Sequence, residues 1–260
     1  HDAIPGVIKV KNTLLIATGS HGKFLGRLDL EVKNKKVANF NYKLIPILSN
    51  AIKPDPEIKE IIRKVRSPFE KKLNTVLGKT ESHLYRRGNF NGTFDDVINQ
   101  AIMEERDTQI SLSPGFRWGA TLLPGQDIRV EDIFSQTAIT YPAVYRNEMT
   151  GKFLKEILED VGDNLFNPDP YYQQGGDMVR VGGMGYHFEI NNKIGSRVSN
   201  MTLLKTGEKI DPVKTYIVGG WASVNEATKG PAIYDVVSDY IKREKSIIIK
   251  ENRAVKIKGI

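Results

Sequence analysis

Pro54-Asp55-Pro56 divides this chain into two stretches with different periodicities. Proline has no backbone N–H and a fixed φ, so it ends a strand and can open a helix but cannot continue either. Asp55 suits an N-cap and Pro56 the first helical position. Ile58, Ile61, Ile62 and Val65 then recur at helical spacing, Pro68 interrupts, and Phe69, Leu73, Val76 and Leu77 extend the helical pattern to Gly78. Before this helix, residues 6–48 read as strands, with a polar hairpin turn at Lys33-Asn34-Lys35-Lys36. They are too few to close a sheet and read as the last strands of a larger β-rich domain. After it the pattern is mixed: helices over 93–106, 130–134, 152–161 and 231–243, and strands over 109–113, 138–145, 178–189 and 215–218, with a strand pair over 245–260.

Composition removes several chemistries. The chain of 260 residues has no Cys, so disulfides, thiolate catalysis, iron–sulfur clusters and Cys-type zinc sites are excluded. No run approaches a membrane span. The net charge of +7 is unevenly spread. Residues 1–79 are basic and residues 80–240 acidic, with Lys scattered through hydrophobic alternation rather than gathered among aromatics. That argues against a nucleic-acid partner. The four His (His1, His21, His83 and His187) form no metal-ligand pair by spacing, so the chain carries no self-sufficient transition-metal signature. No G-x-S-x-G elbow supports a serine nucleophile.

Two glycine-bounded loops carry the strongest chemical signal. One is Ser113-Pro114-Gly115-Phe116-Arg117-Trp118-Gly119, after a strand. Gly115 lets the backbone approach a ligand, Arg117 offers a planar fork for an oxyanion, and Trp118 offers an aromatic wall. The other runs from Gly175 to Gly185 and includes Asp177, Arg180, Gly182 and Gly183. The pair reads either as two surface turns or as one shared anion-binding cleft. Asp177 would steer Arg180 or cap a turn.

Several strings resemble the 5′-nucleotidase family. Arg86 with Gly88-Asn89-Phe90-Asn91-Gly92 and Asp96 is similar to its Arg-x-x-Asn-x-Gly-Asn…Asp stretch. Gly115-Phe116-Arg117 is similar to its Gly-Ile-Arg, and Met149-Thr150-Gly151 to its Leu-Thr-Gly turn. The resemblance implies an α/β (α+β) chain in three parts. Residues 1–50 would end a metallophosphoesterase β-sandwich domain, 51–78 would form a linker helix, and 79–260 a mixed α/β substrate-binding domain. Departures accompany the matches. Leu112 stands where nucleotidases carry Asn, and Ile139 or Thr140 and Thr215 stand where they carry two base-stacking Phe. Gly219-Gly220-Trp221 replaces their Gly-Gly-Asp.

These departures, with His1-Asp2-Ala3-Ile4-Pro5 and Gly19-Ser20-His21-Gly22-Lys23-Phe24, resemble the thiosulfohydrolase branch of the family, the SoxB type. That resemblance implies a periplasmic enzyme of sulfur oxidation. It would release sulfate from a cysteine S-thiosulfonate on the SoxYZ carrier protein, using a dinuclear Mn²⁺ centre. His1 would be a metal ligand, with the other ligands upstream, so this chain alone would be inactive. Arg117 would clamp the sulfonate, with Arg180 and Arg86 as further binders. Gly115, Gly182, Gly183, Trp118 and Trp221 would line the cleft, and His21 and Asp177 would support it from behind. A 5′-nucleotidase or cyclic-nucleotide phosphodiesterase, and a non-catalytic anion- or peptide-binding module, are the alternatives.

Overall fold

A computed structural model describes residues 3–20, 22–86, 88–116, 119–137, 141–223, 225, 227–250, 252 and 254–259. The chain forms two compact units, residues 1–70 and 71–260.

The first unit holds two antiparallel pairs and a helix. Strands β1 (Ile8–Val10) and β2 (Thr13–Leu15) form one pair, and β3 (Phe24–Lys33) and β4 (Lys36–Pro46) the other. The β3–β4 turn is the polar hairpin expected from the sequence. Asn34 and Lys35 both take positive φ, 50° and 59°, as a two-residue turn of the primed kind requires. Helix α1 (Pro56–Arg66) begins as its sequence dictates: the Asp55 carboxylate accepts the Ile58 N–H at 3.0 Å, Pro56 opens the helix, and basic residues close it. Its apolar stripe, Ile58, Ile61, Ile62 and Val65, is exposed, as are Leu25, Leu30, Val32 and Val37 of the hairpin. Among the described residues, no hydrophobic side chain before Leu77 is buried.

Residues 69–78 depart from the expected helix. Only α2 (Glu70–Leu73) is helical, and Val76–Thr80 is strand β5. The reason is a close approach: Lys79 N–H donates to Lys245 O at 2.8 Å, and a Cβ on Gly78 would lie 2.7 Å from that oxygen. Gly78 is therefore a packing glycine within a strand rather than a helix terminator. Strands β7 (Asp127–Arg129) and β13 (Ser246–Ile247) flank β5.

The second unit contains two further sheets. In one, the order is β8 (Tyr145–Thr150), β12 (Thr215–Gly220), β6 (Ile110–Gly115), β9 (Asp177–Gly182), with β6 and β12 parallel at its centre. In the other, β10 (Met184–Glu189) lies between β11 (Val198–Leu203) and β14 (Val255–Lys258). The strand pair expected over 245–260 is thus split: β13 and β14 join different sheets. The strand expected over 138–145 begins instead at Tyr145, and residues 138–140 lie outside the described residues. β8 ends at Thr150, whose hydroxyl caps α5 (Gly151–Phe166) by accepting the Phe153 N–H at 3.2 Å.

Helix α3 (Thr93–Arg106) separates two cores. Phe94, Ile98 and Ile102 pack with Ile133 of α4 (Val130–Gln136), Val237 and Ile241 of α6 (Ile233–Glu244), and the β5 sheet. Ile110, Val218, Met178, Tyr186 and Phe188 pack with Leu154 and Leu158 of α5. Burial of such side chains contributes roughly 1.5–3 kcal/mol each. The β3–β4 turn supplies a test of local geometry. Lys35→Gly removes the cost of a side chain at positive φ and should stabilise the hairpin by about 1 kcal/mol, read as slower amide exchange across β3 and β4.

Candidate functional site

The two parallel central strands run toward the same edge, Gly220 ending β12 opposite Leu112 and β6 continuing to Gly115. Crevices beyond the carboxyl ends of parallel strands are where sheets of this kind receive ligands. β9 runs antiparallel to β6, with Ser113 opposite Arg180 and Gly115 opposite Asp177. The two glycine-bounded loops therefore meet. Gly115 has no room for a side chain, because a Cβ there would run into the backbone of Asp177 and Met178.

Arg86 and Arg180 lie behind this edge and are fully buried. Asp95, in the first turn of α3, lies between them. Arg86 Nε donates to Asp95 Oδ1 at 2.8 Å, and Arg180 Nε is 3.2 Å from Asp95 Oδ2. The other nitrogens of Arg86 reach main chain: Nη1 donates to Gln136 O at 2.6 Å and Nη2 to Pro114 O at 2.8 Å. Arg180 Nη2 donates to Gly88 O at 2.6 Å and lies 3.2 Å from Asp177 Oδ2. Two guanidiniums and two carboxylates thus balance in charge. Burial pushes the Asp95 carboxyl up, and the guanidiniums of Arg86 and Arg180 pull it back.

Trp221 follows β12 and is buried, its Nε1 donating to Ser113 Oγ at 2.8 Å. The Arg86 guanidinium lies 6.0 Å from its ring and 5.7 Å from that of Phe116. Gln136 Nε2 donates to Ala120 O at 2.5 Å, holding the backbone that follows Gly119. Of the residues expected at the cleft, Arg86, Arg180, Asp177, Gly115 and Trp221 come together. Arg86, Arg180 and Trp221 are bonded inside the protein rather than presented to solvent. Gly182 and Gly183 are not in this group. They lie at the other end of β9, where Gly182 packs on Ser111 and Asn99, and Gly183 makes the β9–β10 turn at φ +71°. His1, His21, Arg117 and Trp118 lie outside the described residues. Among the described residues no three His, Asp or Glu side chains cluster as a metal site.

Sequence reasoning missed Asp95, Gln136 and the buried hydrogen-bonding role of Ser113. Asp95 had a signal: with Asn99 it places polar residues four apart on the buried face of α3, beside Phe94 and Ile98. Its neighbour Asp96 lines a cavity of about 380 Å³ on the other side of the helix start, with Asn99, Gly182, Gly183 and Asn252. Asp96 accepts from Asn252 at 2.9 Å and Asn91 at 3.2 Å, yet burial raises its pKa to about 6. The folded state then holds a proton that the unfolded chain releases near its ordinary value. Stability should fall as pH rises through about 4 to 6 and level off above. Asp96→Asn should flatten that segment, read from urea midpoints across pH 4–7.

Comparison with known proteins agrees with this architecture. Residues 76–232 match the family described as 5′-nucleotidase, C-terminal domain. The Bacillus subtilis trifunctional nucleotide phosphoesterase protein YfkN is 25% identical over 89% of this chain and 17% of its own length. The structure of Thermus thermophilus sulfate thiohydrolase SoxB superposes with a TM-score of 0.94 at 28% identity, covering 100% of this chain and 49% of that one. A 5′-nucleotidase precursor, also from Thermus thermophilus, shares the fold, with a TM-score of 0.79 at 19% identity over 97% of this chain and 54% of that one. The chain spans about half the length of these solved structures. By its domain match this chain belongs to the 5′-nucleotidase family, a group of dinuclear metal-dependent hydrolases, as a C-terminal portion.

Proposed function

We propose that this chain is the substrate-binding portion of a SoxB-type hydrolase that releases sulfate from a cysteine S-thiosulfonate on a SoxYZ-type carrier in the periplasm. The observation that carries this reading is the likeness to the Thermus sulfate thiohydrolase over the whole chain, with a TM-score of 0.94 and 28% identity. The chemistry of the cleft supports it. A nucleotide site needs an aromatic face free for the base. Trp221 is 3% exposed with its N–H engaged, so it offers no such face. A compact sulfonate needs only donors, and Arg117 follows a backbone already fixed at Pro114.

The described residues do not fit a complete dinuclear centre. The expected Mn²⁺ ions would therefore rest on residues of the other half of the protein, with His1 as this chain's contribution. What this chain would do is bind and orient the sulfonate and shape the entry for an extended carrier arm. The likeness to YfkN favours a second reading, in which the substrate is a phosphate ester of a nucleotide.

The test uses the whole two-domain protein with Mn²⁺. Sulfate release from a thiosulfonate-loaded carrier is compared with phosphate release from AMP. The sulfonate reading expects sulfate release, and Arg117→Ala should reduce it by about 10²–10³-fold, as for loss of one oxyanion donor. Phosphate release without sulfate release would establish the second reading instead. The 260-residue chain by itself should release neither.

A further inference from the structure

We infer that Asp95 is the positioning residue of the anion cleft: one buried carboxylate that, through Arg86 and Arg180, holds the cleft loops in register. The consequence for ligand binding rests on the reading above, whereas the geometry stands on its own. Asp95 touches no part of the crevice. Its side chain is fully enclosed and pairs with both guanidiniums. Arg86 then spends its remaining donors on two peptide carbonyls, and Arg180 Nη2 reaches one more, that of Gly88.

Arg86 holds Pro114 O, which enters the Arg117 loop, and Gln136 O. Gln136 in turn holds Ala120 O, where that loop leaves. Both ends of the 115–119 segment are therefore tied to one guanidinium, directly and through one residue. Arg180 ties Gly88 O to Asp177, and Gly115 packs on the Asp177 backbone. A guanidinium is planar and its five donors are fixed in direction. Once Asp95 orients both guanidiniums, the described residues of four chain segments take fixed positions: 86 and 88–92, 114–116 and 119–120, 136–137, and 177–180. No flexible side chain intervenes except Gln136.

Substituting Asp95 should therefore release these segments as a set, which ordinary destabilisation of the fold would not do. The comparison is with Asp163→Asn, which removes the carboxylate paired at 2.7 Å with the buried Arg197 of the same unit, away from the cleft. Hydrogen exchange and the affinity for inorganic sulfate are measured on the full chain for wild type, Asp95→Asn and Asp163→Asn. Asp95→Asn should speed exchange in all four segments together and weaken sulfate binding at least tenfold. Asp163→Asn, at a comparable loss in Tm, should do neither.

Unchanged affinity in Asp95→Asn, or an equal loss in Asp163→Asn, would overturn the inference. If Asp95→Asn does not fold, Arg180→Lys serves: it keeps the charge and loses the fork. It should then loosen 86–92 and 177–180 while Arg86 keeps 114–120 protected, and uniform loosening would count against the inference. If the wild-type chain binds no sulfate, the anion reading fails, and the exchange pattern alone decides whether Asp95 sets the loops.

Discussion

Two guanidiniums inside a protein are tolerable only if something neutralises them, and here Asp95 is shared by both. Taking ions out of water costs several kcal/mol each after relaxation, and removing one partner of a buried pair costs about 3–5 kcal/mol. The arrangement works because the remaining donors of Arg86 find carbonyls, while Arg180 gains the Gly88 carbonyl and a second carboxylate, Asp177. Arg86 places all its directed bonds on Asp95, Pro114 and Gln136. Those bonds would be replaceable by water on a surface. In the buried positions these arginines hold they are not, so the backbone around Gly115 takes the shape the arginines allow. The tight approach of Gly115 to the Asp177–Met178 backbone follows from the same closeness.

Helix α3 makes this possible. Its start delivers Asp95 and Asp96 to opposite tasks within one turn. Asp95 enters the arginine cluster, whereas Asp96 faces the 380 Å³ cavity and the amides of Asn91 and Asn252. Its body supplies Ile98 and Ile102 to one core, while Asn99 accepts from Ser111 of β6 at 3.1 Å on the side of the other. The parallel pair β6–β12 is thus braced from beneath by a helix that also carries the charge its loops require.

Much of this was legible in the residues. The capped start of α1, the β3–β4 turn and the span of α3 all followed from local rules, because capping, primed turns and amphipathic periodicity act over a few residues. The two glycine loops were read either as separate surface turns or as one shared cleft, and the β6–β9 register brings Gly115 beside Asp177 and Ser113 beside Arg180. What was hidden is long-range. That Val76–Thr80 is a strand depends on Lys245, and the division of the last residues between two sheets depends on β5 and β10. Arg180 was read as facing a ligand because an arginine in a glycine-rich loop looks like an anion donor, and Arg86 because the family resemblance implies it. Only the position of Asp95, nine residues beyond Arg86, shows that both are engaged within the protein. Asp95 itself was obscured by its place in a helix first turn, where an acidic residue needs no other explanation than the helix dipole.

The exposed stripes of the first unit bear on how this chain melts. The heat capacity gained on unfolding comes from apolar surface newly wetted. The faces of the β3–β4 hairpin and of α1 are already wet in the folded chain, since no hydrophobic side chain before Leu77 is buried among the described residues. Opening them wets less apolar surface per residue than opening the two buried cores does. In this chain by itself, the heat capacity gained on unfolding therefore comes chiefly from residues 71–260, where the buried apolar side chains lie.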